Sequence, residues 1–218
     1  MAGAKADMVY ADPPYGIAVR TDWDAEDLKQ SGAHSTGKIK KHVKVHGDDV
    51  PFDPRPLLEY FADVAEIFFW GGDYFAQHLP TGGSYAVWDK RTKADGEALN
   101  VFMGSDFELC WSKHKHRRLM ARILWSGLCQ GPKEGARVHP TQKPVMLTEW
   151  FLQQWGKPGD LVVDPFGGSG SALLGCEKQQ RRCGMIEIAP AYCDVIIARW
   201  EKLTGQKAER ITCESEAS

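Results

Sequence analysis

Apolar positions along this chain fall into short continuous runs and longer stretches of helical spacing. Residues 7–11 (DMVYA), 66–70 (EIFFW), 84–89 (SYAVWD), 106–112 (DFELCWS) and 121–126 (ARILWS) are short apolar runs flanked by turn formers, which predicts strands. Residues 16–54 are polar with little periodicity and predict a long loop, a length that usually marks a functional or mobile segment. In Pro56–Ala65, Leu57, Leu58, Phe61 and Val64 share one helical face. A short helix is expected over 73–79 and a loop over 127–138. From residue 144 the alternation becomes regular. Pro144–Trp155 predicts a helix with proline at its first position and Leu147, Phe151 and Trp155 along one side. A turn at 157–160 (KPGD), a strand at 161–163, a glycine-rich bend, a helix at 171–179, a strand at 183–188 and a helix at 190–203 follow. In the last helix Cys193, Ile196, Trp200 and Leu203 form a stripe. Strands and helices alternating in this way predict an α/β fold, a mostly parallel sheet with helices on both faces, in one domain spanning 1–218.

Composition narrows the function classes. The 218 residues suit one ordinary domain, and 43% hydrophobic with 26% charged residues is a soluble globular mix. No apolar run approaches a membrane span, and the first residues lack a signal-peptide pattern, so a cytoplasmic protein is expected. The six cysteines form no CxxC pair, which argues against a zinc ribbon or a disulfide framework. His42 and His46 are four apart, a spacing that could pair them on a helix, but no metal is expected. Net charge is only −2, yet KIKKHVKVH (38–46) and KHKHRR (113–118) concentrate positive charge, which suits phosphate binding.

Two motifs carry the chemistry. VVDPFGGSGSALLGC sets Gly167, Gly168 and Gly170 between a strand and a helix, and Glu187 follows at the end of the next strand. Glycine permits a tight turn and close ligand approach, and a carboxylate at that later position can accept ribose hydroxyls. Asp164 leads the bend and would repel a diphosphate; it would favour a cationic ligand such as the sulfonium and ammonium of S-adenosylmethionine. The other motif is DPPY at 12–15, directly behind the first strand. An exocyclic amine on a base is a poor nucleophile because its lone pair is delocalised. Asp12 and the Pro13 carbonyl can grip its two N–H bonds, and the carboxylate favours the cation that forms during transfer. Pro13 and Pro14 fix the backbone without adding a competing N–H, and Tyr15 can stack on the base.

With these motifs in place the chain resembles the amino-methylating DNA methyltransferases that act on adenine N6 or cytosine N4. DPPY (12–15) looks like their catalytic motif and DPFGGSG (164–170) like their methyl-donor loop. HPTQKP (139–144) resembles the segment leading into the helix before that loop, and GMIEIAPAYCDVIIARWEKLTG (184–205) their acidic strand and next helix. Catalytic motif first and donor motif last is the permuted order of the beta subgroup. The resemblance spans roughly 7–90 and 137–205. It implies a Rossmann-like methyltransferase fold, with Asp12, Pro13, Pro14 and Tyr15 holding the target amine and base. It also implies a donor pocket shaped by Phe166, Gly167, Gly168 and Gly170. Asp164 would lie near the donor's amino acid, Glu187 on its ribose and Thr141 and Lys143 at its methionine end. FFWGG (68–72) would line the pocket wall. The aspartate form of the motif favours adenine; cytosine N4, RNA, or a non-catalytic DNA-binding subunit of the same fold are the alternatives.

The expected partner is double-stranded DNA with one base flipped out. Residues 16–54 would close as a substrate-side flap. Lys38, Lys40, Lys41 and Lys44 would hold phosphates, and Lys113, Lys115, Arg117 and Arg118 would form a second contact line. No metal is needed, because a sulfonium is already an activated leaving group. Relatives carry a further segment before the catalytic strand, so a fragment or minimal form is expected. Residues 91–138 would hold a short target-recognition insertion, with relaxed specificity or a homodimer or separate specificity partner supplying the rest.

Overall fold

In the computed structural model β1 (Met8–Ala11) lies inside a seven-stranded sheet, buried at every position. The structure describes residues 4–21, 44–93, 96, 105–126, 129–130, 134 and 137–211. In chain order β1 is followed by α1 (Arg55–Tyr60), β2 (Glu66–Trp70), a 3-10 turn (Ala76–His78), β3 (Ser84–Asp89), β4 (Phe107–Ser112) and β5 (Met120–Arg122). Then come β6 (Trp125–Ser126), β7 (Cys129–Gln130), α2 (Val145–Gln154), β8 (Leu161–Asp164), α3 (Ser171–Lys178), β9 (Arg182–Met185) and α4 (Pro190–Thr204).

The sheet order is β5-β3-β4-β2-β1-β8-β9. β1 pairs in parallel with β2 and β8, β8 with β9, and β3 with β5, while β4 is antiparallel to both of its neighbours. Six strands therefore run one way and β4 alone runs back.

Side-chain alternation splits the core into two layers. Met8 and Tyr10 of β1 with Phe68 and Trp70 of β2 face Leu147 and Phe151 of α2 and Ala172 and Cys176 of α3. Val9 and Ala11 with Ile67 and Phe69 face Phe61 and Val64 beyond α1. Helices cover both faces, as the alternation predicts.

Four predicted elements differ in detail. The helix expected over 56–65 ends at Tyr60, where Lys113 Nζ donates to the carbonyls of Ala62 (2.6 Å) and Val64 (2.9 Å) and fixes a turn instead. The run 121–126 is divided. Met120–Arg122 joins the sheet, whereas Trp125–Ser126 pairs with Cys129–Gln130 inside the stretch expected as loop. The buried Trp125 indole N–H reaches the Gln142 carbonyl at 2.8 Å, which draws the chain off the sheet edge. The strand expected over 183–188 ends at Met185, opposite the last residue of β8, where its partner turns away. In α4 the buried residues are Tyr192 and Ile196, and Leu203 is exposed. The span 91–138, expected as a target-recognition insertion, contributes β4 and β5 to the central sheet.

Candidate active site

Within the sheet, β1 connects outward to β2 on one side and β8 to β9 on the other, which makes the gap between β1 and β8 a topological switch point. In open parallel sheets the crevice at the carboxyl ends of such strands is where ligands bind. Both sequence motifs emerge there: Asp12 directly after β1, and Asp164 as the last residue of β8.

At the first motif Asp12 Oδ1 accepts from the Tyr15 hydroxyl at 2.7 Å and from Lys143 Nζ at 2.6 Å. Lys143 Nζ lies 3.1 Å from the Tyr15 hydroxyl as well. The Tyr15 ring is stacked on Tyr74, centroids 4.9 Å apart and planes 15° apart. It also rests on Gly71 of the FFWGG segment, where φ is +67° and a Cβ would stand 2.2 Å from Tyr15 Cε1. That glycine is therefore required twice, for its backbone angle and for the ring beside it.

Burial raises the Asp12 pKa; Lys143 pulls it back and the Glu108 charge adds to the rise. Asp48 is a further buried carboxylate, which sequence reading missed. Its oxygens accept the Gly16, Ile17 and Val19 N–H groups at 3.1, 3.4 and 2.6 Å. It ties together the two described ends of the loop expected over 16–54.

At the second motif Asp164 accepts the Phe166 N–H at 2.9 Å. Burial pushes the Asp164 carboxyl up to about 7, and that single bond offsets only part of the rise. Glu187 Oε2 accepts the Gly168 N–H at 2.6 Å and Oε1 the Ala189 N–H at 2.8 Å, which locks the acid against the glycine bend. Gly170 opens α3 at φ +78°, and a Cβ there would meet Ile196 at 3.0 Å. Gly167 packs on Met185, and the Phe166 ring meets Phe52 edge to face. Thr141 directs its N–H and hydroxyl to His139 Nδ1. Ile186 and Ile188, on either side of Glu187, are exposed apolar residues.

One cavity of about 1000 Å³ joins the two motifs. Asp12, Pro13, Pro14 and Tyr15 line one side. Asp164, Phe166, Gly167, Gly168 and Glu187 line the other, with Thr141 and Lys143 between them. Gly170 shapes the bend from behind.

Lys143 is also held by a residue the sequence did not single out. Glu108 of β4 lies 3.1 Å from its ammonium, and the other Glu108 oxygen accepts from Lys90 at 2.8 Å. Burial pushes the Glu108 carboxyl up, but Lys143 and Lys90 together outweigh it and hold the group at about 2. A lone carboxylate inside the apolar run DFELCWS was the available signal.

The basic windows divide. Lys38, Lys40 and Lys41 lie outside the described residues. Lys44 lines the cavity and pairs with Asp49 at 3.3 Å. Lys113, Lys115, Arg117 and Arg118 do not form a contact line there. β4 runs backwards, so residues after Ser112 emerge at the amino ends of the other strands, and the Lys113 N–H meets the Ile67 carbonyl near the start of β2. Among the described residues no cluster of His, Cys, Asp and Glu could hold a metal ion, and no helix is long and apolar enough to cross a membrane.

Comparison with known proteins bears on this arrangement. The model of the family N6_N4_Mtase, DNA methylase, matches residues 55–199. The type II methyltransferase M.HinfI of Haemophilus influenzae is 33% identical over 232 residues, covering 90% of this chain and 63% of that protein. M2.DpnII of Streptococcus pneumoniae is 27% identical over 132 residues, 53% of this chain and 49% of that protein. M.PvuII of Proteus hauseri is 40% identical over 58 residues, 27% of this chain and 17% of that protein. The chain thus spans less than two thirds of the length of each of these relatives. Among solved structures the PvuII DNA methyltransferase, described as cytosine-N4-specific, superposes with a TM-score of 0.53 at 17% identity over 92% of this chain and 84% of that one. The M1.HpyAVI–SAM complex gives 0.51 at 17% identity over 91% and 90%. These likenesses establish a shared Rossmann-like methyltransferase fold.

Proposed function

The chain belongs to the N6_N4_Mtase family of DNA methylases, and from that premise we propose that it transfers a methyl group from S-adenosylmethionine to adenine N6 in double-stranded DNA. The observation that carries the reading is the single cavity at the switch point, lined on one side by an acid-and-aromatic corner and on the other by an acid-and-glycine bend.

The residues present fit such a donor. Asp164 and Glu187 give the bend an acidic lining suited to a cation and to ribose hydroxyls, and Ile186 and Ile188 offer apolar surface beside Glu187. When bound, S-adenosylmethionine supplies a methyl carbon on a positively charged sulfur, already activated for transfer.

The protein's own part is positioning and charge. Tyr15 and Tyr74 form an aromatic platform for a flipped base, and a base–aromatic stack is worth roughly 1–3 kcal/mol. That offsets some of the few kcal/mol needed to extract a base from the duplex. Asp12 and the Pro13 carbonyl accept the two amine N–H bonds and orient the nitrogen lone pair. Transfer would form the N–C bond as the C–S bond breaks, the C–S electron pair staying on sulfur; positive charge would move to the nitrogen, and one of its protons would pass to solvent. The Asp12 carboxylate favours that charge more than it favours the neutral amine. Lys44, which lines the cavity, would meet backbone phosphate.

The adenine assignment rests on the aspartate at the head of DPPY. Transfer of labelled methyl to duplex DNA in competition with structured RNA tests the activity. Preferential labelling of DNA by the wild type, lost in Asp12→Ala while donor binding persists, is expected. Labelling of RNA alone, or full activity in Asp12→Ala, would contradict the assignment.

A further inference from the structure

Glu108 lies on β4, away from both motifs in sequence, yet its side chain reaches the catalytic corner. Among the described residues both hydrogen bonds to the Asp12 side chain land on Oδ1, from Tyr15 and Lys143. The Lys143 ammonium is fixed on several sides. It stands 5.3 Å from the Trp70 ring centroid and 5.6 Å from that of Tyr15, and its backbone carbonyl accepts the Ser171 hydroxyl at the start of α3. Glu108 completes the cage at 3.1 Å and is itself anchored by Lys90 at 2.8 Å. Side-chain exposures of 10% for Lys143, 21% for Glu108, 17% for Lys90 and 26% for Asp12 make Asp12 the most exposed side chain of the four.

We propose that Glu108 is a positioning residue for the transfer, holding Lys143 on the Oδ1 side of Asp12 so that Oδ2 is presented to the incoming amine. This rests on the methyltransferase reading above. Lys90, Glu108, Lys143 and Asp12 alternate in sign, so the chain of four is neutral overall. Without the Glu108 charge, Lys143 leans wholly on Asp12 and the cluster turns positive just where the nitrogen becomes cationic. Glu108 therefore offsets the one cation that touches Asp12. Asp12 is faced by Lys143 and Tyr15, and farther off by Tyr10, Glu108, Cys110 and Asp164; Glu108 is faced by Lys143, Lys90, Arg137, Tyr15, Tyr74 and Cys110.

The test compares wild type, Glu108→Gln and Lys90→Gln. It measures donor affinity, kcat on duplex DNA, and the ionisation of Asp12 followed by carboxyl 13C NMR in the free protein. Glu108→Gln should bind donor as the wild type does and lose kcat by ten- to about a hundredfold, the scale of a misplacement of about 1 Å. Its Asp12 midpoint should fall, because a neighbouring negative charge is gone, whereas Lys90→Gln should raise it. Opposite shifts show that both charges reach Asp12; the loss of kcat with donor affinity kept is what a purely structural role would not produce. Midpoints that stay put or move together, or wild-type kcat in Glu108→Gln, would overturn the proposal. Should Glu108→Gln fail to fold, Glu108→Asp, which keeps the charge but shortens its reach to Lys143, should lose kcat with donor affinity kept, and wild-type kcat there would overturn it. Failure of the wild type to methylate would instead sink the functional reading, and the NMR titration separates the two.

Discussion

Asp164 is buried in the bend proposed to receive a cation, and this gives it a pH signature. Its folded pKa of about 7 lies above the ordinary value of 3.8. For a raised carboxyl the stability contribution is present below 3.8 and is lost as pH rises through about 7. A bound cation favours the ionised form. Donor affinity should therefore strengthen as pH rises toward and past 7, with proton release on binding below 7. Calorimetric titration between about pH 5.5 and 7.5 checks this, and Asp164→Asn should flatten the dependence. A pH-independent affinity in the wild type would contradict it. Gly71 is the other telling single position. Gly71→Ala places a methyl carbon 2.2 Å from the Tyr15 ring on a backbone at φ +67°. Tyr15 must move, so kcat should fall at least tenfold, as expected for displaced catalytic groups, with donor affinity unchanged. Equal losses in both would place Gly71 in the fold rather than the site.

Between elements, Gly175 of α3 packs against Thr148 of α2, where a Cβ would stand 2.6 Å from Thr148 Cβ. An approach this close puts overpacking in the upper part of its range, about 2–3 kcal/mol, against about 1 kcal/mol gained from the better helix propensity of alanine. Gly175→Ala should thus lower the urea midpoint by a net loss of about 1–2 kcal/mol. An unchanged midpoint would show that α2 and α3 can separate freely. Asp48→Ala should release the strap at 16–19 and cost about 2–3 kcal/mol, as lost bonds to a charged acceptor do. Faster amide exchange at Gly16, Ile17 and Val19 is the readout. At this scale the sequence was legible where a pattern was local. DPPY, the glycine bend and Glu187 could be read because each sits at the end of a predicted strand. Asp48 could not, because its partners are 29 to 32 residues away and nothing in the local pattern announces the pairing. Glu108 did carry a local signal, a carboxylate between Phe107 and Leu109, but its partners Lys90 and Lys143 are likewise distant in sequence.

Across the whole molecule the layered α/β architecture followed from alternation of strand and helix, but strand direction did not. β4 looks like any apolar run, and its reversal sends Lys113–Arg118 to the edge opposite the cavity. Charge clustering along the chain therefore misled about charge placement in space. With DNA docked over the cavity, replacing Lys115, Arg117 and Arg118 by alanine should leave the salt dependence of DNA binding unchanged. Lys44→Ala should flatten its slope by about one. The reverse pattern would put DNA on the far edge.

On the proposed function, the two motifs share one cavity so that a methyl group meets an adenine amine. Duplex DNA incubated with the wild-type protein and methyl-labelled S-adenosylmethionine, then digested to nucleosides, should carry its label in N6-methyladenine. Label in N4-methylcytosine, or unlabelled DNA from a protein that binds the donor, would contradict it.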